Sequence, residues 1–327
     1  MTRSTGVALV GAGYWGRRIA RNLVAADGCE LRAVCDVDPA RAREVAEVHG
    51  GVPMASLTAA LSDATIDAVV VATPSSTHAA LVNEAIGSSR HVLVEKPLAG
   101  TPGDAARLAA RAGDRGRVLM CDQTYRFAPA VVAIRELLAD RAFGPVELIE
   151  SRRTNQGHDQ PDVDVFWDLA YHDLAIVDAV VPAGLHGLVG VRATARDLVG
   201  HGRPHHGELV LDPAPGPTVR ITVDWHADAK ARAMRFAGVE HEVTWDDAHG
   251  PDVRHDGIAV PVGGTEPLTA VVAEFLAAIA DGRPAVCGPA QELPILAVLA
   301  AASESAARDG APVTVDLAAG VDPVAVV

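Results

Sequence analysis

Lys96 stands in the tripeptide Glu95-Lys96-Pro97, directly after the short apolar run Val92–Val94. A lysine at the C-terminal edge of a parallel strand lies where open α/β sheets bind ligands. Its ammonium can stabilise negative charge developing on a substrate oxygen. A second group of reactive types is Asp168-Leu169-Ala170-Tyr171-His172-Asp173. If this stretch is helical, Asp168 and His172 are i and i+4 and share a face. Imidazole takes up a proton near neutral pH, and a nearby carboxylate raises its basicity and fixes its tautomer. The pair suits removal of a proton from a hydroxyl; the competing reading is a packed or solvated histidine on an ordinary helix.

Gly11-Ala12-Gly13-Tyr14-Trp15-Gly16 fits GxGxxG between the apolar run Val7–Val10 and a helical stretch. Glycines there allow a tight turn and close approach to a pyrophosphate, and the helix N-terminus supplies amide donors. Asp36 ends the next apolar run about 20 residues later, where a carboxylate accepts hydrogen bonds from ribose hydroxyls. It also repels a 2′-phosphate, and Val37 brings no compensating cation, so NAD is expected in preference to NADP. Arg41 and Arg43 are the residues able to reverse that preference. Thr73 and Pro74, in the turn Thr73-Pro74-Ser75-Ser76-Thr77-His78, are expected along the cofactor groove. His78, Glu95, Lys96 and Pro97 are assigned to the same groove with Tyr14 and Trp15, and Ser75 or Ser76 is expected to cap the following helix.

These residues need a frame. Val7–Val10, Leu31–Cys35, Ala68–Ala72, Val92–Val94 and Val118–Cys121 are short apolar runs of the kind that buried parallel strands require. Helical stretches separate them at Trp15–Ala26, Pro39–His49, Ser75–Ile86 and Thr101–Ala112, which is a doubly wound α/β pattern. After Cys121 the pattern changes. A helix is expected over Pro129–Leu138, a strand over Val146–Arg152, a polar loop over 154–164 and a helix from about Asp168 to Val181. Short alternating segments from Leu188 to Val262 favour a mostly antiparallel sheet with one wet face. Two helices, Leu268–Ala280 and Leu293–Ala307, follow. The expected architecture is a Rossmann domain over residues 1–122 and an α+β substrate-binding and oligomerisation domain over 123–327.

The chain has 327 residues, 49% of them hydrophobic, which is enough for two domains with sizeable cores. A formal charge of -14 at pH 7, with no clustered Lys and Arg, argues against a nucleic-acid partner. The apolar runs fall short of the ~18 residues of a membrane span, and the N-terminal run is too short for a signal segment, so a cytoplasmic location is expected. The four cysteines lack CxxC spacing and read as reduced structural thiols.

The combination of GAGYWG after the first strand, EKP after a later one, and Asp-x3-His in the second domain resembles the Gfo/Idh/MocA oxidoreductases, in a branch carrying the GYWG turn. Tyr125-Arg126-Phe127-Ala128-Pro129, Arg153-Thr154-Asn155 and Gly282-Arg283-Pro284 extend the likeness over nearly the whole chain. The resemblance implies that Lys96, Asp168 and His172 are the catalytic set, that the Lys96-Pro97 peptide is cis, and that the protein forms a homo-oligomer through the outer face of its second sheet. Ala128 and Ala170 depart from residues common in relatives, which leaves the substrate contacts there open.

A secondary hydroxyl is a very weak acid, so its oxidation needs a base as hydride leaves for the nicotinamide. His172 is the expected base, Lys96 the stabiliser of alkoxide-like charge and Asp168 the orienting group; Lys96 as the proton carrier is the alternative. Tyr125, Arg126, Arg153 and Asn155, together with Gln156 and His158, suit a polyhydroxylated ligand, and Arg126 or Arg153 suits a phosphate or carboxylate on it. The resemblance favours a sugar, nucleotide sugar or cyclitol. The rival from another class is a dinucleotide-binding regulator without turnover, against which the intact Lys96, Asp168 and His172 argue. No metal is expected: His201, His205 and His206 lack ligand-spaced partners, and the segment holding Asp246, Asp247, His249, Asp252 and His255 reads as a solvated turn. Trp167 and Trp225 read as core or groove walls.

Overall fold

A computed structural model describes residues 4–157, 159–160, 162–181, 185, 188–197, 200, 202–213 and 216–315. His158 and His201 lie outside the described residues. The chain divides into two compact units, one comprising Met1–Thr124 with Glu266–Leu293 and the other Tyr125–Thr265 with Pro294–Val327. This division differs from a single boundary after residue 122, because a late segment returns to the first unit.

The first unit alternates strands and helices: β1 (Thr5–Val10), α1 (Tyr14–Ala25), β2 (Cys29–Cys35), α2 (Pro39–His49), β3 (Val52–Met54), α3 (Leu57–Leu61), β4 (Ala68–Val71), α4 (His78–Gly87), β5 (His91–Glu95), α5 (Pro102–Asp114) and β6 (Leu119–Asp122). Its six strands are parallel in the order β3-β2-β1-β4-β5-β6. The order reverses between β1 and β4, which creates the crevice at the strand C-termini that doubly wound sheets use for ligands. Val69, Val70, Val92 and Val94 are fully buried, as expected for strands without a wet face.

Caps follow local chemistry. Asp38 accepts from the Ala40 N–H to start α2, and Thr101 accepts from the Asp104 N–H to start α5. The α4 helix begins differently from expectation: a 3₁₀ turn over Ser75–Thr77 leads in, and Thr77 rather than Ser75 or Ser76 takes the N-cap position. The short β3 and α3 elements escaped the sequence reading, since three residues and five carry too little periodicity.

The second unit contains α6 (Pro129–Ala139), β7 (Val146–Gln156), α7 (Tyr171–Val180), β8 (Leu188–Arg196), β9 (His206–Pro213), β10 (Thr218–Asp224), β11 (His226–Gly238), β12 (Glu242–Asp246), β13 (Asp252–His255) and β14 (Ile258–Val260). With β15 (Val313–Thr314) these strands form a nine-stranded sheet in the order β14-β13-β12-β11-β7-β10-β9-β8-β15. The sheet is antiparallel except where β10 runs parallel to β7. Two expectations shift here. The β7 strand continues through Gln156, into the segment read as a loop, because its ladder with β11 reaches that far. The helix expected from Asp168 opens with a π-helical turn, Phe166–Ala170, before α7.

Between β14 and β15 run α8 (Pro267–Asp281) and α9 (Pro289–Ala307). The α8 helix packs within the first unit against α1, where the Thr269 hydroxyl donates to Asn22 Oδ1 at 2.7 Å.

Candidate functional site

In the first unit the glycine turn is built by contact. Gly11 has φ +98, and a Cβ there would meet the Ala72 carbonyl oxygen at 2.4 Å; one on Gly16 would meet the Gly11 carbonyl oxygen at 1.9 Å. Neither position admits a side chain, since the neighbours are backbone. No side chain caps α1 at Gly13, and a Cβ there would touch nothing within 4 Å. The first-turn amides therefore lack a side-chain acceptor next to open space, the arrangement that receives a phosphate at a helix N-terminus.

Asp36 closes the same turn. Its Oδ2 accepts from the Ala12 N–H at 2.7 Å and its Oδ1 from the Asp38 N–H at 2.8 Å. A carboxylate held this way keeps lone pairs for ribose hydroxyls. Val37 is 96% exposed. Arg41 lies 3.4 Å from Asp38, and Arg43 donates to the Pro39 carbonyl at 3.1 Å.

Glu95 ends β5, Lys96 follows it, and the Lys96-Pro97 peptide is cis. Two buried groups, His78 and Glu292, fix the backbone around the lysine. His78, 1% exposed, places Nδ1 2.7 Å from the Pro97 carbonyl oxygen and Nε2 2.9 Å from that of Thr73. Both partners are acceptors, so a neutral ring satisfies one of them and only an imidazolium satisfies both. Glu292, fully buried, accepts from the Leu98 N–H at 3.0 Å and from Gln123 Nε2 at 2.9 Å. In this geometry His78 braces two backbone segments.

Beside Lys96 lies a pair of carboxyls. Glu95 and Asp122 are register partners on β5 and β6. Asp122 accepts from Trp15 Nε1 at 3.0 Å and from the Thr124 hydroxyl at 2.6 Å. Burial pushes the Glu95 carboxyl well above the usual carboxylate range, the charge of Asp122 and hydrogen bonding to it push the same way, and Lys96 opposes. That direction favours the protonated form of Glu95. Trp15 ties the glycine turn to the end of β6 through this carboxylate, while Tyr14 is 73% exposed and stacks under Arg18. Cys35, by contrast, is inert: burial pushes its thiol up to about 11.

In the second unit, Asp168 sits in the π-helical turn and His172 one turn on in α7; π turns recur at functional sites. Asp168 is 6% exposed, and its Oδ2 accepts from Trp225 Nε1 at 2.9 Å. The His172 ring lies edge-on to Tyr125, with centroids 5.1 Å apart, and to Tyr171, at 5.9 Å. Tyr125 in turn lies under the Arg153 guanidinium, 4.5 Å from its ring centre.

Arg153 is committed to the interior. It is 2% exposed, and its Nε and Nη2 reach Asp173 Oδ1 at 2.9 and 2.8 Å. Burial opposes its charge, but Asp173 and Tyr125 together outweigh that and raise its pKa. Arg126 is likewise paired, to Asp178 Oδ2 at 2.7 Å. Asn155 Oδ1 accepts from Arg232 Nη2 at 2.7 Å. All three side chains thus have protein partners, and Arg153 also lies over Tyr125, the ring that meets His172 edge-on.

Sequence reasoning missed several groups. Asp122, Glu292 and Arg232 were not singled out, and Trp225 was read only as a wall. Each acts through a partner distant in sequence, as Trp225 does on Asp168 and Glu292 on Leu98. Spacing along the chain carries no signal for such pairs. Among the described residues no helix is long and apolar enough to cross a membrane.

Residues 5–123 match the family model described as an oxidoreductase family with an NAD-binding Rossmann fold (GFO_IDH_MocA). The chain is 29% identical over 251 residues to dTDP-3,4-didehydro-2,6-dideoxy-alpha-D-glucose 3-reductase of Streptomyces violaceoruber, covering 73% of this chain and 71% of the relative. It is 28% identical over 312 residues to UDP-N-acetylglucosamine 3-dehydrogenase of Acidithiobacillus ferrooxidans, covering 86% and 90%. Among solved structures, GenD2 from gentamicin A biosynthesis in complex with NAD matches with a TM-score of 0.86 and 28% identity over 97% of each chain.

Proposed function

Because the chain belongs to the Gfo/Idh/MocA oxidoreductase family, we propose that it moves hydride between a bound nicotinamide cofactor and a secondary alcohol or ketone of a sugar, nucleotide sugar or cyclitol. The observation that carries this reading is the edge of the first sheet. There an α1 N-terminus without a side-chain cap follows β1, the Asp36 carboxylate follows β2 and Lys96 follows β5, all at the C-terminal ends of parallel strands. These residues fit a dinucleotide: amides for the pyrophosphate, a carboxylate for the adenosine ribose, and the β5 and β6 ends for the second nucleotide. NAD is the proposed cofactor. Asp36 is positioned to repel a 2′-phosphate, and Arg41 and Arg43 already have partners at Asp38 and Pro39.

The cofactor, when bound, accepts or returns the hydride at nicotinamide C4. Lys96, Asp168 and His172 are the proposed acid–base set. His172 takes the hydroxyl proton as the carbonyl forms, and gives it back in the reverse direction. The Lys96 ammonium stabilises negative charge on the reacting oxygen. Asp168, fixed by the Trp225 indole, orients the hydroxyl or the imidazole. Tyr125 supports His172 edge-on, a geometry favoured by the ring quadrupoles. Assembly as a homo-oligomer and a cytoplasmic location belong to the same proposal.

The test is a screen of sugars, nucleotide sugars and inositols for NAD reduction by the purified protein, with product analysis for the ketone. Tight NAD binding with no turnover on any polyol or ketose would refute the reading.

A further inference from the structure

We propose that His241, His255 and Asp256, at the edge of the nine-stranded sheet, form a binding site for a zinc ion. One ligand atom from each side chain lies within 4.8 Å of the other two. His241 Nδ1 is 2.7 Å and His255 Nε2 3.6 Å from Asp256 Oδ2. Tetrahedral zinc with bonds of about 2.0 Å holds its ligands about 3.3 Å apart, so both distances to Asp256 Oδ2 are already within about 0.6 Å of that value, and the widest separation in the set, at most 4.8 Å, closes by up to about 1.5 Å through rotation of the two imidazoles.

The backbone holds these side chains in place beforehand. His241 precedes β12, while His255 ends β13 and is the ladder partner of Val243. Asp256 and Gly257 make the β13–β14 hairpin turn with φ of 50 and 78, the left-handed pair that an Asp-Gly hairpin favours. Asp256 Oδ1 accepts from the Glu242 N–H at 2.9 Å, which leaves Oδ2 aimed at the two rings. Phe143, 4% exposed, lies beneath both imidazoles at 6.1 and 5.9 Å between ring centres.

One atom calls for a ligand. His255 Nε2 is shielded from solvent and has no hydrogen-bond partner, although it points at an anionic oxygen just beyond hydrogen-bonding distance. A cation between that nitrogen, Oδ2 and His241 Nδ1 satisfies all three. Two imidazoles and one carboxylate with a fourth position left to water suit zinc first and cobalt or nickel next. The sequence reading had no means to see the site, because His241 and Asp256 are 15 residues apart and meet only through strand pairing.

The experiment titrates the full chain, without an affinity tag, with Zn²⁺ by calorimetry, and with Co²⁺ followed by visible absorption. One ion per chain is expected, and H255A and D256N should each weaken binding by about 100-fold or more. Asparagine tolerates the left-handed conformation, so D256N preserves the turn. Zinc should raise the thermal midpoint of the wild-type chain and leave that of D256N unmoved. Failure of the wild-type chain to take up zinc, or uptake undiminished in both variants, overturns the proposal. Neither result bears on the oxidoreductase reading, which uses none of these residues.

Discussion

As proposed, Lys96 and His172 divide the chemistry by charge and proton. In the proposed mechanism K96M removes the ammonium but not the dinucleotide turn, so kcat should fall by about 10²–10⁴-fold while NAD affinity, read from tryptophan fluorescence, changes little. H172N should lower kcat over a similar range and abolish the acid limb of the pH profile, because the remaining amide does not titrate. Glu95 supplies a prediction of another kind. Its folded-state pKa is raised above the ordinary 4.5, so its contribution to stability is complete below that value and is lost as pH rises through the raised one. E95Q should flatten this loss, which urea unfolding at a series of pH values will read. If wild type and E95Q show the same pH dependence, the proton is not held on Glu95.

The elements bear most of their load at buried pairs. Arg153 on β7 and Asp173 on α7 are 2% and 1% exposed in their side chains, so R153A strands a carboxylate in the interior and should cost roughly 3–5 kcal/mol. The double variant R153M/D173L should recover much of it, since removing both charges removes the desolvation problem. Denaturant unfolding of the two variants checks this. What was legible at this scale follows from periodicity. Fully buried strands such as β4 and β5 announced themselves as apolar runs, and α2 was read to the residue because Asp38-Pro39 and Gly50 bracket it. The π-helical turn at Asp168 was not legible, since its sequence looks like any helix start. The full length of β11 was not either: Ala233–Phe236 reads as a strand, but Lys230 and Arg232 interrupt the apolar alternation before it, and only the ladder with β7 reveals the rest. The residues proposed to carry the chemistry stand out by type, and the groups that hold them do not. Arg153 shows why: its residue type is equally at home on a phosphate or in a buried pair, and only burial separates the two.

At the scale of the whole molecule, ligand linkage offers the broadest check. NAD at about 100 times its Kd should stabilise the folded chain by roughly 2.7 kcal/mol, and NADP at the same concentration should stabilise it less, because of Asp36. Replacing Asp36 with serine should narrow that difference. If NADP protects the wild-type chain better, the cofactor assignment reverses. The buried Glu292 carries a consequence for how this molecule could be cut and recombined. A polypeptide ending at Thr124 would contain the glycine turn, Asp36 and Lys96, yet Leu98 and Gln123 would lose the carboxylate that receives them. The dinucleotide half is therefore not a portable cassette. Residues 125–265 are spliced into it, and any chimera that exchanges them must retain the returning segment to keep its lysine loop in place.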